Sequence, residues 1–289
     1  SLMASLLKQV ARYPARLLVP RRYRQPIKRK LRELRHPIRV AIIGCGEIAP
    51  IHIGSFEATG EANVVAACDI RPAALARAQY WMIGGRTYRD PAQMLREQRV
   101  DAVSICTWAN SHLELVKAAA AAGVKAILCE KPLALTMAEV DEMIAVCAAA
   151  GVKLAGGHQY RFHPNFLKAA EMVRASILGR ITKVKAWVAG TLADNGPHLM
   201  DTLRFLLGDP AADSITARLE RRENRFYQSL PAEDGARGEI AFRNGVTAEF
   251  FTGSMAPGFF AFHIEGESGE LTVGPTEFAT SCLVPAVNG

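Results

Sequence analysis

The stretch that decides the fold is Ile38-Arg39-Val40-Ala41-Ile42-Ile43, which runs directly into Gly44-Cys45-Gly46-Glu47-Ile48-Ala49. A short β-branched run followed by G-x-G-x-x-A reads as a strand, a tight turn and the first turn of a helix. Working outward, the same rhythm repeats. Apolar runs at Asn63–Cys68, Ala102–Cys106, Lys125–Cys129 and Val152–Ala155 alternate with helical stretches near 47–59, 72–82, 91–98, 111–122 and 136–150. The last opens with Thr136 and carries Glu139 three positions on, a capping box. Near-continuous apolar strands separated by helices predict a doubly wound parallel sheet covered on both faces, an α/β Rossmann domain over 38–157.

After residue 157 the rhythm changes. Helices are predicted over 164–178 and 197–207, followed by alternating segments at Ser214–Glu220, Gly238–Arg243, Val246–Thr252, Phe259–Glu265 and Glu270–Val273. Asn244-Gly245 between two of them predicts a type I′ hairpin. The region 158–289 therefore reads as an α+β domain with a mainly antiparallel open sheet. Phe250, Phe260 and Phe262 give that sheet an apolar face, for either its own helices or a neighbouring subunit. A homodimer or homotetramer is expected.

The chain has 289 residues, 49% hydrophobic and 22% charged, which excludes a disordered chain. No run of 18 apolar residues is present, so no spanning helix is expected. The net charge of +7 looks like a signature of nucleic-acid binding, but its distribution argues otherwise. Residues 1–37 hold eleven Lys/Arg against Glu33, a balance of +10, which leaves the other 252 residues at −3. The basicity belongs to an N-terminal arm, suited equally to a membrane or transit surface and to packing over a neighbouring subunit. Six cysteines, at 45, 68, 106, 129, 147 and 282, show no metal-site spacing. Buried reduced thiols of this kind predict a cytoplasmic protein with no metal.

In the glycine turn, Gly44 permits the bend, Gly46 lets a pyrophosphate approach the backbone, and Glu47-Ile48-Ala49 opens a helix whose N-terminus faces negative charge. The next strand ends in Asp69, 23 residues after Gly46. A carboxylate there accepts both ribose hydroxyls of NAD and repels the 2′-phosphate of NADP, with Arg71 softening the preference. The fifth strand leads at once into Glu130-Lys131-Pro132, beyond the carboxyl end of the sheet, where ligands of such folds bind.

Together these residues resemble the Gfo/Idh/MocA family of glucose–fructose oxidoreductase and inositol dehydrogenase relatives. The resemblance rests on Gly44–Ala49 with His52, on Asp69, on Thr107 with His112, and on Cys129-Glu130-Lys131-Pro132. It continues through Tyr160-Arg161-Phe162-His163-Pro164 and Asp194-Asn195-Gly196-Pro197-His198-Leu199-Met200-Asp201, and spans residues 38 to about 273. It implies an NAD(P)-dependent oxidoreductase acting on a hydroxyl of a sugar, nucleotide sugar or cyclitol. Gly44, Gly46, Glu47, Ile48, Asp69, Arg71, Thr107, His112, Glu130 and Lys131 would hold the cofactor. Lys131, Asp194 and His198 would serve the reacting carbon, and the Lys-Pro bond is often cis in relatives.

The chemistry fits that implication. Oxidising a secondary alcohol needs a base for the hydroxyl proton, and imidazole titrates near neutrality. His198 is assigned as base, with Lys131 on the reacting oxygen and the two roles open to exchange. Asp194 orients the imidazole or holds a hydroxyl. Arg161 reads equally as a clamp for an anionic substrate group and as a salt bridge at the domain junction. Two readings stand beside the dehydrogenase: a transient-redox lyase or epimerase, and a non-catalytic NAD(P)-binding sensor. Relatives usually have Pro where Trp108 stands, which implies a different wall on the nicotinamide side. They also carry a longer loop before the Asp-x-x-x-His helix, which implies an abbreviated substrate pocket here.

Overall fold

The computed structural model describes residues 37–82, 84–228 and 230–282, and the basic arm lies outside them. The chain divides into two compact units, residues 1–159 and 160–289.

The first unit is built on six parallel strands in the order β3-β2-β1-β4-β5-β6. They are β1 (Ile38–Ile43), β2 (Ala62–Cys68), β3 (Arg86–Tyr88), β4 (Ala102–Ile105), β5 (Ala126–Cys129) and β6 (Lys153–Gly156). The connecting helices are α1 (Ala49–Ala58), α2 (Pro72–Trp81), α3 (Pro91–Glu97), α4 (His112–Ala121) and α5 (Met137–Ala149). Alternate residues of one strand feed two different cores, because successive side chains leave opposite faces. Val40 and Ile42 pack with Ile53 and Phe56 of α1 and Ala74 and Ala78 of α2. Ala41 and Ile43 pack with Met94 of α3, Val116 of α4 and Met143 of α5. The expected capping box is present, with Thr136 Oγ1 accepting from the Glu139 N–H and the Glu139 carboxylate accepting from the Thr136 N–H. Within this sheet, strand β3 has no counterpart among the expected apolar runs. It is three residues long, polar and at the sheet edge, so neither length nor hydrophobicity announces it.

The second unit holds α6 (Pro164–Arg174), β7 (Ile181–Val188), α7 (Gly196–Leu206), β8 (Ala212–Glu220), a small β9–β10 ribbon (Arg225–Tyr227, Leu230–Ala232), β11 (Gly235–Phe242), β12 (Thr247–Gly253), β13 (Phe260–Gly266), β14 (Gly269–Val273) and β15 (Phe278–Cys282). Seven strands run in the order β15-β14-β13-β7-β12-β11-β8. All pairs are antiparallel except β12 with β7, which is parallel. Phe166 and Ala170 of α6 and Leu199, Leu203 and Leu206 of α7 cover one face of this sheet. Phe250, Phe260 and Phe262 point into that core and are buried, so they serve the unit's own helices rather than a neighbour.

Two local expectations are corrected. Helix α6 stops at Arg174 instead of 178 because Ser176 takes a left-handed backbone (φ 55°) and its N–H turns back to the Val173 carbonyl. The hairpin at Asn244-Gly245 is not type I′, which needs two left-handed residues. Only Gly245 is left-handed (φ 86°), and Phe242 pairs with Val246 across a three-residue loop. The Asn244 side chain accepts from the Val246 N–H and stabilises that longer loop.

Candidate functional site

In the first unit, the carboxyl ends of β1, β2 and β4 open on a cavity of about 490 Å³. Gly44, Gly46, Asp69, Arg71 and Thr107 all line it. Gly44 has φ 88°, and a Cβ there would fall 2.7 Å from the Cys106 and Thr107 backbone, so this turn requires glycine. A Cβ on Gly46 would meet nothing within 4 Å. It would enter the open space that a pyrophosphate needs at the start of α1, so the cradle fits a dinucleotide. Asp69 closes the site from β2. Its Oδ2 accepts from the Cys45 N–H (2.8 Å) and its Oδ1 from the Arg71 N–H (2.8 Å) and Nε (3.3 Å). Burial opposes the charge, but these donors hold the carboxyl below its ordinary value. Burial pushes the neighbouring Cys45 and Cys68 thiols up to about 12, so both stay protonated.

The other residues expected at the cofactor have different surroundings. Glu47 is exposed, and Ile48 is the half-buried residue before α1; neither lines the cavity. His112 is fully buried, its Nδ1 and Nε2 each 3.0 Å from the carbonyl oxygens of Leu133 and Thr107. It ties the β4 loop to the β5 loop and does not face the cavity. Glu130 is likewise a brace. Its Oε1 lies 2.9 Å from His52 Nε2, and its Oε2 accepts from the Lys131 N–H at 3.1 Å. His52 reaches on through Nδ1 to Ser104 Oγ at 2.8 Å. Burial opposes both charges, yet each partner favours the charged form of the other. Cys106 and the Glu130 carboxylate hold the His52 imidazole well above its ordinary value, and His52 with the Lys131 amide holds Glu130 below its own. The turn they support contains the cis Lys131–Pro132 bond.

In the second unit, Asp194 and His198 sit where β7 passes into α7. The connection is short because it is closed by its own polar groups. The Thr191 hydroxyl accepts from the Asp194 N–H (3.1 Å), and the Thr191 carbonyl accepts from the Asn195 N–H (3.0 Å). The Asn195 amide donates to the Ala189 carbonyl (2.8 Å), and the Glu233 carboxylate accepts from the Leu192 N–H. His198, on the first turn of α7, is buried against the edge of Tyr160 with ring centroids 5.1 Å apart.

Arg161 is committed elsewhere. Its Nε donates to both Asp201 oxygens (2.9 and 2.8 Å), its Nη atoms to Asp209 (3.0 and 2.6 Å), and the Phe205 ring lies 5.3 Å from its Cζ. The hydrogen bonds it donates to Asp209 and Asp201 raise its already high affinity for the proton. Both expectations for this residue therefore give way to a bridge internal to the second unit. Three participants went unread in the sequence. His52 was a matched letter without a role, and Ser104 and Glu233 carry no pattern at all. A histidine on an otherwise apolar helix face was the one available signal.

Residues 38–158 match the family described as "Oxidoreductase family, NAD-binding Rossmann fold", and residues 166–272 match the "GFO/IDH/MocA C-terminal domain". The chain belongs to the Gfo/Idh/MocA family, and its first unit is that family's NAD-binding Rossmann domain. A D-apiose dehydrogenase of Paraburkholderia graminis is 33% identical over 225 residues, covering 72% of this chain and 58% of that protein. A myo-inositol 2-dehydrogenase of Thermotoga maritima is 34% identical over 167 residues, covering 58% of this chain and 48% of that protein. The chain thus spans about half the length of these relatives. In fold it is similar to the WlbA dehydrogenase of Bordetella pertussis, solved with NADH and UDP-GlcNAcA, with a TM-score of 0.78 at 23% identity over 88% of this chain and 80% of that one.

Proposed function

We propose that the protein is an NAD-dependent dehydrogenase that removes hydride from a secondary hydroxyl of a sugar, cyclitol or nucleotide sugar. The observation that carries this reading is the dinucleotide cradle of Gly44, Gly46 and Asp69, in a chain that also retains Lys131, Asp194 and His198. The relatives, named for apiose and inositol oxidation, support the substrate class. Residues 38–157 take the cofactor and 158–289 the substrate.

Bound NAD supplies the hydride acceptor. Asp69 would receive the adenosine ribose hydroxyls and the Gly44–Gly46 turn the pyrophosphate. His198 takes the hydroxyl proton, and its contact with Tyr160 limits the ring's freedom while it does so. Lys131 donates a hydrogen bond to the reacting oxygen and stabilises the charge that develops there. Asp194 holds an adjacent hydroxyl, positioned by the Thr191 turn.

The protein is further proposed to be a homo-oligomer of a reducing compartment. Five cysteines are buried free thiols among the described residues, and one side of the second unit's sheet carries Arg218, Arg237, Glu239 and the half-buried Phe251. Light scattering of the full chain tests the assembly.

Turnover is tested by NADH absorbance with NAD and a panel of sugars, inositols and nucleotide sugars. Lys131→Ala and His198→Ala should each lower kcat by roughly 10²- to 10⁴-fold, with His198→Ala leaving the Kd for NADH near wild type. Wild-type rates in both variants would overturn the assignment. Substrate conversion without NADH accumulation would point instead to the transient-redox reading.

A further inference from the structure

The sheet of the second unit ends on β8, which is bonded to β11 on one side and to no other strand among the described residues. It is nine residues long, and all of it except Glu220 is exposed. Proteins commonly blunt such an edge with proline, lysine or a bulge, because its free N–H and C=O groups invite another strand. Strand β8 contains neither proline nor lysine, and its ladder to β11 runs without a break from Ser214 to Glu220.

The side chains point the same way. Ile215 lies opposite Ile240 and Leu219 opposite Ala236, and residues directly opposite share a face of the sheet. Ile240 and Ala236 are buried in the core that α6 and α7 cover. Ile215 and Leu219 are 60% and 59% exposed, so the apolar face continues one strand past its cover. An apolar strip beside an open edge suits a strand that brings an apolar strip of its own.

A second β8 is such a strand. Laid antiparallel and centred on Ala217, it sets Ile215 against the partner's Leu219, Ala217 against the partner's Ala217, and Leu219 against the partner's Ile215. On the other face it sets Thr216 against the partner's Arg218 and Ser214 against the partner's Glu220. At both ends Asp213, where the ladder to β11 slips, comes level with the partner's Arg221. No two like charges are then directly opposed, and opposite charges meet at the ends. Moving the centre by one residue loses the match. Centring on Arg218 opposes the two arginines, and centring on Thr216 puts Leu219 against the partner's Asp213.

We propose that β8 is the surface through which two copies of this chain associate, edge to edge and antiparallel about Ala217, so that their sheets join into one. The two-fold arrangement uses the same edge of both copies and therefore closes at two. The inference rests on the homo-oligomer reading above and gives it a contact, a strand edge rather than the sheet side that carries Arg237 and Phe251.

The test combines mass with cross-linking, on the full chain. Light scattering should find wild type at twice the mass of one chain or a multiple of it. Leu219→Lys should halve that mass with an unchanged far-UV circular dichroism spectrum, since the side chain is exposed. Cross-linking is read in a Cys282→Ser background, which leaves the five buried thiols. Directly opposed Cβ atoms lie about 4.5–5.5 Å apart, so Ala217→Cys should form a covalent dimer under mild oxidation. Ile215→Cys should not, because its own copy lies about 14 Å away along the strand. Mixing Ile215→Cys with Leu219→Cys should restore the cross-link. The pairing is overturned if wild type is oligomeric while Leu219→Lys keeps its mass and Ala217→Cys stays unlinked. The homo-oligomer reading would then stand without this contact. It is also overturned if Ile215→Cys links as readily as Ala217→Cys, which would show contact without register. A monomeric wild type would remove the homo-oligomer reading and the edge pairing together.

Discussion

The two places that present proton-handling side chains are held in different ways. In the first unit, the Lys131 turn is fixed from far away in sequence. Glu130 is gripped by His52, 78 positions earlier, and His52 by Ser104, 52 positions from it, all within the protein interior. In the second unit, the loop that carries Asp194 is tied by bonds spanning three to six residues, with Glu233 contributing from a distance. A buried ion pair concentrates the support in one contact, because either partner left alone is an uncompensated charge. A set of half-buried hydrogen bonds spreads it over several contacts that each matter little.

The largest expected effect comes from the ion pair. His52→Leu leaves Glu130 buried without its partner and should cost about 3–5 kcal/mol in urea unfolding, with a fall in kcat as the Lys131 turn loosens. The pH dependence carries its own signature. Glu130 is lowered, so its stabilisation is fully present above the ordinary value of 4.5 and is lost as pH falls through the folded value. His52 is raised, so its stabilisation is fully present below the ordinary value of 6.5 and is lost as pH rises through the folded value. The gap in stability between wild type and the His52→Gln/Glu130→Gln double variant should therefore be widest between those two values and narrow on both sides. A gap that does not change with pH would show that the pair is not ionic.

Gly157 sharpens the same point through packing. A Cβ there would lie 2.8 Å from Glu130 Oε1 and 3.3 Å from Glu130 Cα. Gly157→Ala should push on the carboxylate that holds Lys131 and cost about 1–3 kcal/mol, the usual range for overpacking. Gly151 is the control. Unlike Gly157 it is left-handed (φ 67°), but a Cβ there meets nothing within 4 Å, so Gly151→Ala costs backbone strain alone and should spare kcat.

The contrast also explains what the sequence made legible. Strand–helix alternation, the glycine turn and the Thr136 box depend on residues near one another in the chain, and each leaves a periodic or spaced signal. The roles of His52, Glu130 and His112 depend on which side chains meet across the sheet interior, and no spacing encodes that. Arg161 shows the limit clearly. An arginine beside the Asp-x-x-x-His helix suits an anion clamp until Asp201 is seen to take its Nε and Asp209 both of its Nη atoms.

The smallest expected effects test the distributed half of the comparison. Thr191→Val removes the acceptor for the Asp194 N–H, and Glu233→Ala removes the acceptor for the Leu192 N–H. Each lost bond should cost on the order of 1 kcal/mol, because these half-buried amides can turn to water. Asp194 then samples more positions, so the KM for the sugar or cyclitol should rise a few-fold in either variant while the Kd for NADH stays at wild type. The double variant is the decisive measurement. Bonds that share one loop are coupled, and once one is gone the other holds a segment already loosened. Its KM should then rise by more than the product of the two single effects. A strictly multiplicative result would show that the two bonds act on separate parts of the connection. The loop would then be no cooperative unit, and Asp194 would owe its place to the Thr191 turn alone.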